Sequence, residues 1–368
     1  MTPRRCGSGS SGPCRQPVAE SVVNGQVVAL LANFCWVELD QPGPRRRTRL
    51  LCTRRTRLGK SGLQICTGDR VRLEGIDWSA GRAAVGELVP RLSLLERPAV
   101  ANVTRVVVVV ALAEPDPDPL QLTRFLITAE ATGQPVELVF SKAELLKREA
   151  LQRWCSRAQA WGYEPIALSP ATGLGLERLR ERLCQPGLAV LCGPSGVGKS
   201  SLLNALRPEL DLRVGTVSGR LQRGRHTTRH VELFSMAPGA LVADSPGFNR
   251  PALPPDPATL ASLFPELRQQ LAVASCRFSN CLHQGDPGCA IRPGWDREPL
   301  YRECLATLLA EGARQQQRAG SDPGVRQRGG RLEPRLDPRL RQDSRRRQRQ
   351  QAEHDQPLED LSRSGPAG

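Results

Sequence analysis

From residue 21 to about residue 91, apolar and polar positions alternate in short runs: "GQVVALLANFCWVELD", "RRTRLLCTRRTRLG", "GDRVRLEGIDW" and "GRAAVGELV". Turn residues separate them, as in Gln41-Pro42-Gly43-Pro44 and Thr67-Gly68-Asp69. Alternation interrupted in this way predicts half-buried strands, and their spacing suits a five-stranded barrel of the OB type. After "PRLSLLERP" the pattern becomes α/β. "VTRVVVVVAL" predicts a buried strand, "PLQLTRFLITAEATG" an amphipathic helix closed by Gly133, and "PVELVFSKAELL" a second strand running into a loop. A helix around Leu145 to Trp161, the strand "YEPIALSP" and a helix from Leu176 come next. Leu188 to Cys192 then reads as one more buried strand, with a helical pattern over Ser201 to Leu206. Near the other end, "DREPLYRECLATLLAE" predicts a helix capped by Asp296, with Leu300, Tyr301, Cys304, Leu305, Leu308 and Leu309 on one face. Cys304 is expected to pack in that face.

Both ends break the pattern. "CGSGSSGPC" lies near the start, and residues 313 to 368 are rich in Arg, Gln, Pro and Gly with almost no apolar period, so disordered tails are expected at 1–20 and 313–368. Between them the expected modules are the barrel at 21–91, an α/β domain at 92–252 and a small domain at 253–312. A chain of 368 residues with 39% hydrophobic content supports two or three such cores.

The longest apolar run, Val106 to Ala113, is too short to span a bilayer, and the N-terminus lacks the apolar core of a signal peptide. A soluble, cytoplasmic protein is expected, with no membrane partner. Twelve cysteines scattered mostly singly in a large unsignalled chain then read as reduced thiols, some of them bound to metal. A formal charge of +15 points to a polyanionic partner. Arg45, Arg46, Arg47, Arg49, Arg54, Arg55, Arg57 and Lys60 gather around one hairpin of the expected barrel, a surface for a phosphate backbone or simply a solvated face.

The stretch "AVLCGPSGVGKSSLLNAL" has the P-loop spacing, Gly193, four residues, then Gly198-Lys199-Ser200, between a predicted strand and a predicted helix. Glycines at 193, 196 and 198 let backbone N–H groups face phosphate oxygens, and the helix N-terminus adds its positive end. Phosphate contacts are therefore assigned to Gly193, Pro194, Ser195, Gly196, Val197, Gly198, Lys199, Ser200 and Ser201. Lys199 reaches the β- and γ-phosphates and Ser200 the Mg²⁺ in that chemistry. The plain alternative is a Gly-rich turn with an incidental lysine. Against it, the chain has only four lysines, Lys60, Lys142, Lys147 and Lys199, beside 48 arginines.

Four further segments fit a GTPase. Ser141-Lys142-Ala143-Glu144, after a strand end, resembles the guanine-reading motif Asn-Lys-x-Asp. Ser169-Pro170-Ala171-Thr172-Gly173 resembles the Ser-Ala loop that supports the guanine carbonyl. Downstream of the P-loop, Arg225-His226-Thr227-Thr228 stands where a first switch belongs, and Asp244-Ser245-Pro246-Gly247 resembles the Asp-x-x-Gly of a second switch. The base-reading loops thus precede the phosphate loop, the reverse of the Ras-like order. With "ERPAVANVTRVVVVVA", "GRHTTR" and "DSPGF", the chain resembles the RsgA (YjeQ) family of circularly permuted GTPases over about residues 21 to 310. The resemblance implies binding of the small ribosomal subunit and its rRNA, and hydrolysis of GTP to GDP during late maturation, stimulated by the ribosome. In the permuted order the second switch leads straight into the C-terminal module.

That module holds "CRFSNCLHQGDPGC", in which Cys276, Cys281, His283 and Cys289 form Cys-x4-Cys-x-His-x5-Cys. Four ligands and no open position suit one structural zinc, and the spacing is that of the family's zinc site. Three positions depart from the patterns. Ser141 lacks the amide with which an Asn braces neighbouring loops, and Glu144 adds a methylene to the guanine-reading carboxylate. Phe248 stands where Ras-type enzymes carry the water-orienting Gln, which leaves His226 as the nearest polar candidate and predicts slow intrinsic hydrolysis. Thr228 is the expected first-switch Mg²⁺ ligand, with Thr227 the alternative. The resulting expectation is a monomeric zinc-containing GTPase. The other readings are an RNA-binding assembly factor that uses nucleotide as a switch with negligible turnover, and a P-loop ATPase.

Overall fold

The computed structural model describes residues 23–54, 64–96, 99–210, 231–244, 251–321, 325–328 and 331–334. The alternating N-terminal runs become β1 (Val23–Leu30), β2 (Phe34–Leu39), β3 (Arg49–Arg54), β4 (Arg70–Asp77) and β5 (Arg82–Leu88). They close into a barrel in the order β1-β2-β3-β5-β4. β3 and β5 pair in parallel and the other pairs are antiparallel. The inward half of the alternation, including Val27, Cys35, Val37, Leu50, Cys52, Val71 and Val85, is fully buried in one core. The run from Gly25 to Asp40 is two strands, because the chain reverses at Leu31, whose N–H donates to the Phe34 carbonyl at 2.9 Å.

The connection into β4 anchors the barrel. Asp69, 1% exposed, accepts from the Cys66 N–H at 2.7 Å and from Arg91 Nε at 2.6 Å. Thr67 is also buried; its carbonyl accepts from the Ala101 N–H at 2.8 Å, and its hydroxyl donates to the Val231 carbonyl at 3.2 Å. The short strands β6 (Leu94–Glu96) and β7 (Ala99–Ala101) lie on the segment that follows β5 and leads into the next domain.

The α/β domain is a six-stranded sheet built from β8 (Arg105–Ala111), β9 (Val136–Ser141), β10 (Ile166–Ala167), β11 (Gly187–Cys192), β12 (Glu232–Ala237) and β13 (Ala240–Asp244). Its order is β10-β9-β8-β11-β13-β12, parallel except for the β12–β13 pair. Four helices flank it: α1 (Pro119–Glu130), α2 (Arg148–Ala160), α3 (Leu176–Leu183) and α4 (Lys199–Leu206). The unbroken valine run of β8 is explained by burial on both faces. Val106, Val108 and Val110 pack in one core with Phe125 and Leu126 of α1, whereas Val107 and Val109 pack in the other with Leu179 of α3 and Leu202 of α4. α1 starts where Asp118 accepts from the N–H groups of Leu120 and Gln121 at 2.9 and 3.2 Å, and the turn after it ends at Gly133 with φ +68°.

Further on come α5 (Pro265–Val273) and α6 (Glu298–Ser321). Asp296 does not cap α6. It lies two residues before the helix, and its carboxylate accepts from Arg157 Nε at 3.1 Å and Trp161 Nε1 at 2.7 Å. On α6, Tyr301, Cys304, Leu305 and Leu308 are buried as the spacing requires, while Leu309 is 44% exposed. The helix also runs beyond residue 313 to Ser321, and β14 (Val325–Arg328) pairs with β15 (Arg331–Pro334). Ala, Arg and Gln propagate a helix well until Pro323 forbids it, which is why the absence of apolar period did not end α6 at 313. No helix among the described residues is long and apolar enough to cross a membrane.

Candidate nucleotide site and metal centre

Strand β11 ends at Cys192, and the chain turns at once. Gly193 has φ +140°, and a Cβ there would lie 2.0 Å from the Val109 carbonyl oxygen of β8. Only glycine lets the loop leave the sheet at this point. Gly196 and Gly198 are also left-handed, with φ of +83° and +90°, and α4 begins at Lys199, where the Leu202 N–H donates to the Gly198 carbonyl at 2.8 Å. Lys199 Nζ donates to the carbonyls of Gly193 and Pro194, both at 2.8 Å, so its ammonium lies within the loop. Ser200 and Ser201 occupy the first turn of α4. Beneath the loop, burial raises the Cys192 thiol far above its ordinary range, against the attraction of Lys199, and leaves it neutral.

The base-reading segments meet this loop from the neighbouring strands. Ser141 ends β9 and is 3% exposed. Its hydroxyl donates to the Val197 carbonyl of the P-loop at 2.7 Å. Ser141 lacks the amide of an Asn, yet its hydroxyl still ties this loop to the P-loop. Lys142 takes φ +55° and donates to the Glu114 carbonyl. Ala143 is buried, with its N–H on the Leu168 carbonyl at 3.1 Å, and this orients the exposed Glu144 beside it. Ser169 is wholly buried and its hydroxyl accepts from the Thr172 N–H at 3.2 Å, holding the loop that carries the exposed Ala171. Phosphate loop and base loops thus gather at the carboxyl ends of β11, β9 and β10, where parallel α/β sheets bind ligands. Asp244 ends β13, its backbone in register with Leu191 of β11. Arg225, His226, Thr227 and Thr228 lie outside the described residues, as do Ser245, Pro246, Gly247 and Phe248.

In the C-terminal part, the donor atoms of Cys276, Cys281, His283 and Cys289 all lie within 4.8 Å of one another. His283 Nδ1 is 3.4 Å from Cys276 Sγ and 3.6 Å from Cys289 Sγ. A tetrahedral ion with sulfur at 2.3 Å and nitrogen at 2.0–2.1 Å sets such edges at about 3.5 Å. Backbone N–H groups already point at the sulfurs, from His283 to Cys281 at 3.4 Å and from Ala290 to Cys276 at 3.3 Å. Burial lowers the His283 imidazole and pushes the Cys289 thiol up to about 11, so a cation at the centre would have to draw the thiol proton off. The donors fit a metal, and Cys304 is not among them.

Sequence reasoning missed the residues that fix this region. Arg297, fully buried, donates through Nε to Glu266 Oε1 at 2.7 Å and through Nη2 to Glu266 Oε2. Its guanidinium carbon lies 4.7 Å from the Phe264 ring centroid and 4.9 Å from that of Trp161, and its Nη1 has no hydrogen-bond partner among the described residues. Nothing local in the sequence marks this pair, which joins positions 31 residues apart.

Of the basic cluster, Arg45 and Arg46 are exposed before β3, Arg47 is half-buried, Arg49 pairs with Glu38, and Arg54 Nη2 donates to the carbonyls of Leu31 and Phe34. Arg55, Arg57 and Lys60 lie outside the described residues.

Residues 88–254 match the family model for the RsgA GTPase. The chain is 57% identical to the small ribosomal subunit biogenesis GTPase RsgA of Synechococcus sp. (strain CC9311), over 78% of this chain and 94% of that protein. It is 45% identical to the protein of the same name from Thermosynechococcus vestitus, over 91% and 96% of the two chains. Among solved structures, YjeQ from Thermotoga maritima superposes with a TM-score of 0.65 at 28% identity, covering 78% of this chain and 99% of that one. YloQ, described as a circularly permuted GTPase, shares the fold with a TM-score of 0.64 at 24% identity, over 82% and 99% of the two chains. With its base-reading loops ahead of its phosphate loop on one sheet, the chain belongs to the RsgA family of small ribosomal subunit biogenesis GTPases.

Proposed function

We propose that the chain binds GTP at the carboxyl ends of β9, β10 and β11 and hydrolyses it to GDP and phosphate while seated on the small ribosomal subunit, late in the maturation of that particle. The observation that carries this reading is the 2.7 Å bond from Ser141 to Val197, which makes the base-reading and phosphate loops one unit. In this reading Glu144 accepts from the guanine edge, the stem of Lys142 covers the base, and the loop of Ser169 and Ala171 supports the guanine carbonyl. The backbone from Gly193 to Ser201 cradles the phosphates, and Lys199 exchanges its two carbonyl partners for β- and γ-phosphate oxygens. Ser200 and Thr228 would hold Mg²⁺, which when bound neutralises charge on the phosphoryl oxygens. Asp244 and Gly247 belong to the second switch. His226 positions the attacking water, since Phe248 cannot.

Cys276, Cys281, His283 and Cys289 are assigned one structural zinc. We further assign the modules as a barrel at 21–91, a permuted GTPase domain at 92–252 and a zinc-binding domain at 253–312, between tails at 1–20 and 313–368, in a monomeric cytoplasmic protein. The curated relatives are named for the small ribosomal subunit, and the exposed arginines before β3 suit its rRNA.

Phosphate release from GTP, and separately from ATP, with and without small subunits, tests the proposal. GTP turnover that rises on adding subunits is expected. Binding without turnover under both conditions would leave a nucleotide-switched assembly factor, and equal turnover of ATP would leave a P-loop ATPase.

A further inference from the structure

The outer face of β2 carries two aromatic rings that the barrel does not use. Cys35, Val37 and Leu39 fill the core, so Phe34 and Trp36 point outward and remain 41% and 38% exposed. Leu31, in the turn before them, is 42% exposed. Across the sheet they stand in register with Thr53 and Leu51 of β3. A single exposed apolar residue needs no explanation, but two aromatic rings on alternate positions of one strand make a surface. The two Cα atoms stand about 6.8 Å apart, which leaves each ring a separate face.

Cations flank this strand at both ends. At the Phe34 end, Arg54 Nη2 is tied to the carbonyls of Leu31 and Phe34, the latter at 3.3 Å, which fixes its charge at that end of the strand. At the Leu39 end, Arg45 and Arg46 are exposed, with Arg47 half-buried beside them. Nearby carboxylates do not oppose them: Glu38 pairs with Arg49, Asp40 with Arg70 at 2.6 Å, and Glu87 with Arg72 at 2.8 Å.

Resting on the reading of the chain as a subunit-binding GTPase, we propose that Phe34 and Trp36 form a stacking platform for unpaired RNA bases, with Arg54, Arg45 and Arg46 holding the phosphates on either side. Bare arginines grip any phosphate backbone, paired or not. Aromatic faces add affinity only where a base is free to leave its stack. The platform therefore selects a single-stranded element of the rRNA rather than a duplex.

The test uses the full chain with a short unstructured single-stranded RNA and a duplex RNA of equal length, titrated at several salt concentrations. The double variant Phe34→Ala/Trp36→Ala is expected to lose roughly tenfold or more in affinity for the single strand, with an unchanged salt slope, and to keep its affinity for the duplex. Phe34→Tyr/Trp36→Phe, which keeps the rings, should restore single-strand binding. Equal losses on both RNAs, no loss on either, or ring-retaining variants as weak as the alanines would overturn the platform. A protein partner on this face would give the second of these results. GTP binding by the wild-type chain reads the nucleotide site separately, so failure of the platform and failure of the GTPase reading are told apart.

Discussion

The hydroxyl of Ser141 donates to the carbonyl oxygen of Val197 across 2.7 Å, inside a site where both residues are almost fully buried. Removing it strands a buried acceptor, at a cost of about 1–3 kcal/mol. Ser141→Ala should therefore weaken GTP and ATP together, by roughly five- to a hundredfold, because the phosphate loop serves both nucleotides. Calorimetric titration reads this directly, and unchanged affinity for either nucleotide would contradict it.

Glu144 should behave differently. It is exposed on a loop fixed by Ala143, and its carboxylate is the group proposed to accept from the guanine edge. Glu144→Ala should weaken GTP binding much more than ATP binding, because only guanine presents two N–H donors to lose. Small equal effects would remove the assignment.

Metal removal should act locally. Stripping the ion with a chelator, or replacing Cys281 by Ser, is expected to unfold the segment around residues 276 to 291 and leave nucleotide binding in place, since the sheet has its own two cores. Elemental analysis of purified protein should return one zinc per chain; none would refute the site.

The pair of Glu266 with Arg297 carries a structural prediction. Glu266→Gln leaves a fully buried guanidinium without its counter-charge, and breaking such a pair costs about 3–5 kcal/mol. Denaturant unfolding should register the loss. Arg297→Met together with Glu266→Gln should recover much of it, because no unpaired charge then remains.

Acid should loosen the neighbouring contact. Burial pushes the Asp296 carboxyl up, but hydrogen bonds from Arg157 and Trp161 outweigh it and hold the group below its ordinary value. A depressed carboxyl stabilises the fold above the ordinary pKa of about 3.9 and loses that contribution as pH falls through the folded value. Asp296→Asn should therefore lower stability at pH 7 and flatten its decline below about pH 4 in a series of thermal melts.

Much of the fold was legible because burial writes itself into period. The alternation around Val27, Val37 and Val71 gives inward-facing strands, and the unbroken Val106–Val110 gives a strand covered on both sides. The left-handed turn at Gly193 and the convergence of Cys276, Cys281, His283 and Cys289 were legible because phosphate loops and metal sites each demand fixed residue types at fixed intervals. Contacts that depend on distant positions were not. Ser141 meets Val197 56 residues away, Asp296 meets Trp161 135 residues away, and neither partner changes the local pattern around it. For the same reason Asp296 read as a cap, since Asp before an apolar run is the ordinary signature of a helix start.

The strand order has a consequence for how the protein is made. β8 pairs with β9 soon after both leave the ribosome, Val106 against Val136, yet its other edge waits for β11, where Val106 meets Val190. An unpaired edge of buried valines is the kind of surface that recruits foreign strands. Nascent chains halted before Gly187 should therefore bind chaperones or aggregate, and those extended past Asp244, where β13 has covered the far edge of β11, should lose that tendency. In this permuted order, the strand that carries the phosphate loop also covers the open edge of β8, and its own far edge waits in turn for β13.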